Sequence, residues 1–334
     1  MAGGSRLEVL AEYGYDIDPF RGVVLETADG MRIKRVLRMA VESRAMISVV
    51  ASWGFGKSTA LALALKDLNA TVVRLITPDK ERVVVSDIEK ALILHLSTES
   101  CARTKEVRAR QIRRILGAAT DESDVVLVLE EAHRMHGQTL RALKTFREME
   151  WKGRSPIFTV VMVGQTDPMN KRQVGEVRLR TDTIRMRGIT AGEVKDYISA
   201  TVGEHFESDA IEAVSRRPEG RNFLDLQEML VELMARALEA GQRKVTPVEV
   251  FELCGGGIKE VLKRTGLKQS DIARETGLSP ATVSLVVNEK TDGLSDGAFK
   301  EARGAITDVL RKHSGGDAAK PGLKVMGGAE VRNV

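Results

Sequence analysis

One stretch carries the strongest chemical signal in the chain: Ala51-Ser52-Trp53-Gly54-Phe55-Gly56-Lys57-Ser58-Thr59. The apolar run Met46–Val50 before it reads as a strand, and Ala60–Leu65 after it reads as a helix. A glycine loop between strand and helix is a P-loop. Its backbone curls so that successive N–H groups face inward and cradle phosphate oxygens. The helix that follows adds its positive end to the same site. Trp53, Gly54, Phe55, Gly56, Lys57, Ser58 and Thr59 are therefore candidate nucleotide contacts. Lys57 would reach the β- and γ-phosphates, and Ser58 would offer its hydroxyl to Mg²⁺. The motif asks for Gly six residues before the lysine, where Ala51 stands. Alanine is compatible with the loop while its φ stays negative.

A second constellation completes the chemistry. The apolar run Asp124–Leu129 reads as a strand ending in Glu130-Glu131-Ala132-His133. A carboxylate there, Glu130, would sit beside the loop's Ser58 and hold the Mg²⁺ shell, and the next, Glu131, could polarise an attacking water. The pattern usually has Asp before Glu, so the longer Glu130 bears on hydrolysis rate more than on nucleotide binding. His133 and His136 have no third metal ligand nearby and read as helix-surface residues. Another apolar run, Ile157–Val163, ends at Gly164-Gln165, where Gln165 has the place of a polar sensor of the γ-phosphate. Arg178, Arg180, Arg185 and Arg187 follow. Arg178 or Arg180 is the candidate finger supplied to a neighbouring subunit, the alternative being contact with DNA or solvent. Arg221, in Pro218-Glu219-Gly220-Arg221, is either a second sensor or part of a helix cap.

The remaining elements position these groups. Helical patterns are predicted over Ala28–Arg44, from Ser86 (with Glu89 as its capping box), over 139–147, and over Thr190–Val202, Ser208–Arg216 and Asn222–Ala240, with a shorter one from Pro247. Thr71–Ile76 is a predicted buried strand ended by Pro78-Asp79-Lys80. The segment 102–116 is a basic helix carrying Arg103, Lys105, Arg108, Arg110, Arg113 and Arg114, with Val107, Ile112, Ile115 and Leu116 as a narrow buried edge. By itself such a run is a solvated face or an anion-binding surface. Farther on, a helix containing Ile272 and Ala273, a turn at Gly277, and a second helix capped by Ser279 with Pro280 at its first position make a helix-turn-helix. Its second helix would offer Pro280, Ala281, Thr282, Ser284 and Asn288 to the major groove. A helical hairpin for protein contact is the alternative.

Composition sets the limits. The 334 residues are enough for about two domains, and the 43% hydrophobic and 29% charged content fits a soluble globular chain. The net charge of +4 favours an anionic partner weakly. Cys101 and Cys254 fit no ligand spacing and suit a reducing compartment. No secretory leader or membrane-spanning run is evident, so a cytoplasmic protein of a bacterial or phage-infected cell, without a membrane partner, is expected.

The order of these motifs resembles the AAA+ ATPases. Within them it is most similar to the transposition ATPases typified by phage Mu transposition protein B, with more distant kinship to TnsC-type and ExeA-type ATPases. The likeness spans about residues 22–250 and rests on Leu25-Glu26-Thr27, Gly54–Ser58, Glu130–His133 and Val163-Gly164-Gln165. In that family the helix-turn-helix is N-terminal, whereas here it is C-terminal. The resemblance implies an α/β fold: a P-loop AAA+ core with a parallel sheet (22–188) and a helical lid (189–253). To these the sequence adds an N-terminal arm (1–21), a C-terminal all-α helix-turn-helix domain (258–313) and a flexible tail (314–334). It also implies an ATP- and Mg²⁺-dependent ATPase that binds duplex DNA without strong sequence preference. Such proteins assemble with themselves as a helical filament and recruit and stimulate a transposase. On that expectation the helix 103–114 becomes a phosphate-tracking surface, joined by Lys144, Arg147, Lys152 and Arg154. An ATP-responsive transcription regulator and a helicase-loader-like ATPase are the competing expectations.

Overall fold

The computed structural model describes residues 5–75, 83–172, 174–254, 258–288 and 294–314. The expected strand end at Pro78–Lys80, the Gly255–Gly257 linker and the tail from 315 onward lie outside them. The chain divides into two compact units, Met1–Gly203 with Val214–Glu232, and Glu204–Ala213 with Leu233–Val334.

The first unit holds the sheet. In chain order its elements are α1 (Arg6–Glu12), α2 (Ala28–Glu42), β1 (Met46–Val50), α3 (Lys57–Lys66), β2 (Ala70–Arg74), α4 (Val85–Leu96), α5 (Lys105–Glu122), β3 (Asp124–Leu129), α6 (Gly137–Arg147), β4 (Thr159–Gly164), α7 (Gly175–Arg178), β5 (Thr181–Arg185) and α8 (Ala191–Thr201). Two further helices, α9 (Ser208–Ser215) and α10 (Phe223–Glu239), have residues in both units. The strands are all parallel in the order β2-β3-β4-β1-β5. Parallel strands covered on both faces read as continuous apolar runs, and this is why β1, β3 and β4 were legible as strands. Alternation then sorts their side chains. Ile47, Val49, Val126, Val128, Val161 and Val163 pack with α2 and α3. Met46, Leu127, Leu129, Val160 and Met162 pack with α4, α5 and α6 on the other face.

One element is added and two expectations are corrected. The basic stretch 178–187 contains an edge strand, β5, in which only Ile184 is buried. An edge strand with one covered position carries no apolar run to announce it. The predicted start of α4 is also different. Its first turn is held by Asp87, which accepts from the Val84 N–H at 3.0 Å, while Glu89 turns inward to Arg108. His133 does not lie on an outer helix surface. It belongs to a single 3₁₀ turn, Ala132–Arg134, and its side chain is only 15% exposed.

The N-terminal arm is fastened within the first unit. Arg6 pairs with Asp18 at 3.0 Å and reaches Gln227, and Phe20 stacks on Tyr197.

In the second unit α11 (Pro247–Cys254), α12 (Ile258–Thr265), α13 (Gln269–Thr276), α14 (Pro280–Val287) and α15 (Asp296–Ser314) form a helical cluster. Gly277, at φ 71°, ends α13. Ser279 accepts from the Thr282 N–H at 3.1 Å to cap α14, with Pro280 at its first turn. The helix-turn-helix reading therefore holds as a backbone arrangement. Ile272, Val283, Val286 and Val287 are its buried side. Among the described residues no helix is long and apolar enough to cross a membrane.

Candidate nucleotide site

The chemistry gathers at the carboxyl ends of three neighbouring strands. Register sets Val50 of β1 beside Gly164 of β4, and Met162 of β4 beside Leu129 of β3. The phosphate loop, Gln165 and the Glu130–Glu131 pair therefore leave the sheet on the same side. β4 lies between the other two, so β1 and β3 are about 10 Å apart, two strand spacings. That gap suits a triphosphate bridging loop and carboxylates, in the crevice where open α/β sheets bind ligands.

The loop needs both of its glycines. Gly54 and Gly56 have φ of 75° and 76°. Gly56 is the N-cap of α3 and supplies no side-chain bond, so the first N–H groups of that helix have no side-chain acceptor. Lys57 Nζ donates to the carbonyls of Ala51 and Ser52, both at 2.7 Å. Ala51 is buried and does not have a positive φ, so the alanine is accommodated without strain. Burial lowers the Lys57 pKa, with Glu131 opposing. This cradle of free N–H groups, with its lysine poised over it, fits a polyphosphate. Ser58 and Glu130 together offer oxygen donors suited to Mg²⁺, which takes few protein ligands when phosphates supply the rest.

The carboxylates differ in environment. Glu130 pairs with Arg74 at 3.7 Å and is 41% exposed. Glu131 has a left-handed backbone, φ 53° and ψ 31°, and its Oε2 lies 3.8 Å from His133 Nε2. The other nitrogen of that ring, Nδ1, accepts from the Gln165 backbone N–H at 3.3 Å.

A second wall comes from the start of α10. Asn222 Nδ2 donates to Trp53 O at 2.8 Å, and the Phe223 N–H donates to Gly54 O at 2.9 Å. A Cβ on Gly54 would meet Asn222 Oδ1 at 1.9 Å. Arg221 lies just before this clamp, and its carbonyl accepts from the Ile189 N–H. Trp53 itself is 70% exposed. Beside the loop opens a cavity of about 520 Å³ lined by Val23, Val24, Leu25, Leu63, Tyr197 and Phe223 among others. Asn222, Phe223, Tyr197 and the 23–25 segment were not singled out as site residues from sequence. The Leu25-Glu26-Thr27 signature that carried the family resemblance was the one hint. A planar apolar group the size of a purine fits such a cavity.

Arg178 and Arg180 are not part of this cluster. Thr181 pairs in register with Met46, so Arg180 is level with the amino end of the sheet. β5 covers about 16 Å at roughly 3.3 Å per residue, which separates Arg180 from the loop at the opposite end. Arg178 Nε donates to Met169 O at 2.7 Å, and Arg180 pairs with Glu148 at 3.0 Å.

The candidate DNA residues separate into two groups. Arg103, Lys105, Arg110, Arg113 and Arg114 are exposed along α5 and its entry. Arg113 donates to Glu150 O, and Arg114 holds both Glu99 oxygens. Lys152 is exposed and pairs with Asp121 Oδ2 at 2.8 Å, and Arg154 pairs with Oδ1 of the same carboxylate. Arg108 and Arg147 are withdrawn from that face. Arg108 is engaged with buried Glu89 at 2.6 Å and with Ala102 O. Arg147 turns to Arg44 O, and burial lowers its pKa. Lys144 is half-buried between Glu176 and Glu148. In the second unit Pro280, Ala281 and Asn288 are exposed, while Thr282 and Ser284 are half-buried. Asn288 Nδ2 bonds back to Ser284 O at 2.8 Å.

Comparison with known proteins agrees with this architecture. Residues 39–172 match the AAA domain family. The fold is similar to that of Cdc6p from Pyrobaculum aerophilum, with a TM-score of 0.51 at 14% identity, covering 90% of this chain and 99% of that one. A weaker likeness is to the Aeropyrum pernix ORC1 protein in complex with DNA, with a TM-score of 0.45 at 13% identity and coverage of 92% and 87%. No curated protein matches the sequence. With the glycine loop, the paired carboxylates and the parallel sheet in place, residues 39–172 form a P-loop AAA domain of the ATPase class.

Proposed function

We propose that this ATPase binds duplex DNA and assembles on it with copies of itself under the control of ATP. In line with its sequence resemblance, the assembled form would present target DNA to a transposase. The observation that carries the reading is the separation of the two ends of the sheet. The phosphate loop is at the carboxyl end, and the candidate finger Arg180 directly precedes β5 at the amino end. An arginine so placed can complete only another copy's site.

Within one site, Lys57 exchanges the Ala51 and Ser52 carbonyls for the β- and γ-phosphates. Ser58 and Glu130 would hold Mg²⁺, which would supply charge neutralisation to the phosphates. Glu131 takes a proton from the attacking water. The new bond forms from water oxygen to the γ-phosphorus as the bond to the β-bridging oxygen breaks, its electron pair leaving with ADP. Gln165 orients the water or the γ-phosphate, and Arg178 or Arg180 of a neighbouring copy offsets the developing charge. Arg221, next in sequence to Asn222 of the clamp, would act as the second sensor of the same phosphate. The 520 Å³ cavity takes the base. The exposed cations of α5, with Lys152, track the DNA backbone, a mode whose affinity falls steeply with salt. The helix-turn-helix adds a second DNA contact. α14 carries neither Arg nor Lys, which favours tolerant binding over readout of one sequence.

Electron microscopy with random-sequence duplex DNA, with and without ATP, tests the reading. Long helical assemblies that need ATP and are abolished by Lys57→Ala are expected. A discrete dimer on a single palindrome would replace it with a helix-turn-helix regulator, and a closed ring bound to a replicative helicase with a loader.

A further inference from the structure

Glu131 occupies a backbone conformation that a residue with a Cβ resists, so neighbouring groups must hold it there. The nearest is His133, two residues on, at the centre of the single 3₁₀ turn that follows. Its ring is fastened on one side. Nδ1 accepts from the Gln165 backbone N–H at 3.3 Å. That bond leaves the ring proton on Nε2, and Nε2 faces Glu131 Oε2 at 3.8 Å. The distance is just longer than a hydrogen bond, as is common for such pairs before the substrate tightens the site. Gly164 makes room for the root of that side chain and the loop beside it: a Cβ there would lie 3.0 Å from Thr166 O, 3.2 Å from His133 Cβ and 3.3 Å from the His133 backbone nitrogen. One imidazole thus spans from the end of β4 to the carboxylate that follows β3.

We propose that His133 is the positioning residue of the hydrolytic site. It is anchored through Nδ1 to Gln165, and through Nε2–H it steers the Glu131 carboxylate onto the attacking water. The proposal rests on Glu131 acting as the base. The ring does this as a neutral donor. Burial depresses its pKa; Glu131 opposes that, and Arg134, Lys171 and Lys57 add to it. A neutral ring guides the carboxylate without competing for its charge. The same ring ties the base to the strand end that carries Gln165, so a displacement of either strand end is felt at the base.

Steady-state ATP hydrolysis by the full chain on duplex DNA, with nucleotide affinity measured in parallel, tests this on six variants. His133→Ala and His133→Asn should each lower kcat about 10- to 100-fold, the scale of a misplaced catalytic group, with KM and nucleotide affinity nearly unchanged. Asparagine keeps an acceptor near the Nδ1 position and has no donor near Nε2. His133→Gln, whose amide reaches the Nε2 position, should recover most of the loss. Gly164→Ala, which crowds Thr166 O and the root of the His133 side chain, should reproduce the kcat defect with nucleotide affinity intact. In a Glu131→Gln background, His133→Ala should cost nothing further, because its effect passes through the carboxylate. A full additional loss in that background, or wild-type kcat in His133→Asn, would overturn the proposal. Normal turnover by Glu131→Gln alone would remove the base assignment itself, and the proposal with it.

Discussion

At the scale of single residues, Ala51 shows how a departure from a motif can be harmless. Its φ is not positive, its side chain is buried, and its N–H bonds to Gly164 O at 3.2 Å. Ala51→Gly should therefore restore the motif's letter without improving the site. We expect unchanged ATP affinity and a loss of about 0.4–1 kcal/mol in stability from the freer unfolded chain, read by denaturant unfolding beside nucleotide titration. The legibility of residues follows the distance to their partners. Gly54, Gly56 and Lys57 could be read because the loop is local in sequence. Arg108 could not be told from its neighbours, because Glu89, which draws it inward, is 19 residues away. His133 was missed for the same reason, since its partner Gln165 is 32 residues on. Adjacent residues alone gave it only a place on a helix.

At the scale of elements, a small hairpin went unread. Trp151 and Arg154 bridge antiparallel around Lys152 and Gly153, whose φ values of 49° and 75° are both left-handed. That is the backbone of a two-residue primed turn, for which Asn-Gly is the strong sequence signal and Lys-Gly a weak one. The hairpin lies on one stripe of α5. Arg113 holds Glu150 O, Gly117 leaves room for the Trp151 ring, and Asp121 binds Trp151 Nε1, Lys152 and Arg154. A Cβ on Gly117 would meet that ring at 2.2 Å. The three residues are spaced i, i+4, i+8, one face of a helix. Asp121 is held well below the ordinary 3.8, at about 2, chiefly by Lys152 and then by Trp151, with Arg154 adding to it. The carboxylate's contribution to docking is therefore complete above pH 3.8. It declines as pH falls from there and is gone below about 2. Trp151 fluorescence in a Trp53→Phe background should stay constant from neutral pH to about pH 4 and change only below it. In the same background, Asp121→Asn, whose amide does not titrate, should remove that change and give the undocked signal at every pH. β5 was obscured in a related way, since an edge strand of Thr, Asp and Arg has the composition of a loop.

At the scale of the whole molecule, the proposed function makes the first unit half of a working site. Its sheet puts the phosphate loop at one end and Arg180 at the other. Two disabled proteins should therefore repair one another. Lys57→Ala lacks the phosphate lysine and keeps the arginine; Arg180→Ala lacks the arginine and keeps the lysine. Each alone should be inactive on DNA, while their mixture should regain turnover wherever a Lys57→Ala copy faces an Arg180→Ala copy. A mixture as silent as its parts would mean that Arg180 has no role in trans, and repetition with Arg178→Ala would then assign the finger. The fold at this scale was legible because the core strands and the helices flanking them carry their period locally. The division of the chain into its two units was not, because it depends on contacts among residues far apart in sequence.

The clamp on Gly54 has a consequence for how this chain can diverge. Its missing Cβ is filled by Asn222 Oδ1, at 1.9 Å from where a Cβ would stand, and Asn222 in turn holds Trp53 O. Positions 54 and 222 therefore behave as one inherited unit although they are 168 positions apart in the chain. A side chain at 54 can become established only alongside a smaller partner at 222, and only if it tolerates the left-handed backbone there. In a lineage of such proteins, the two positions should change together or stay as they are.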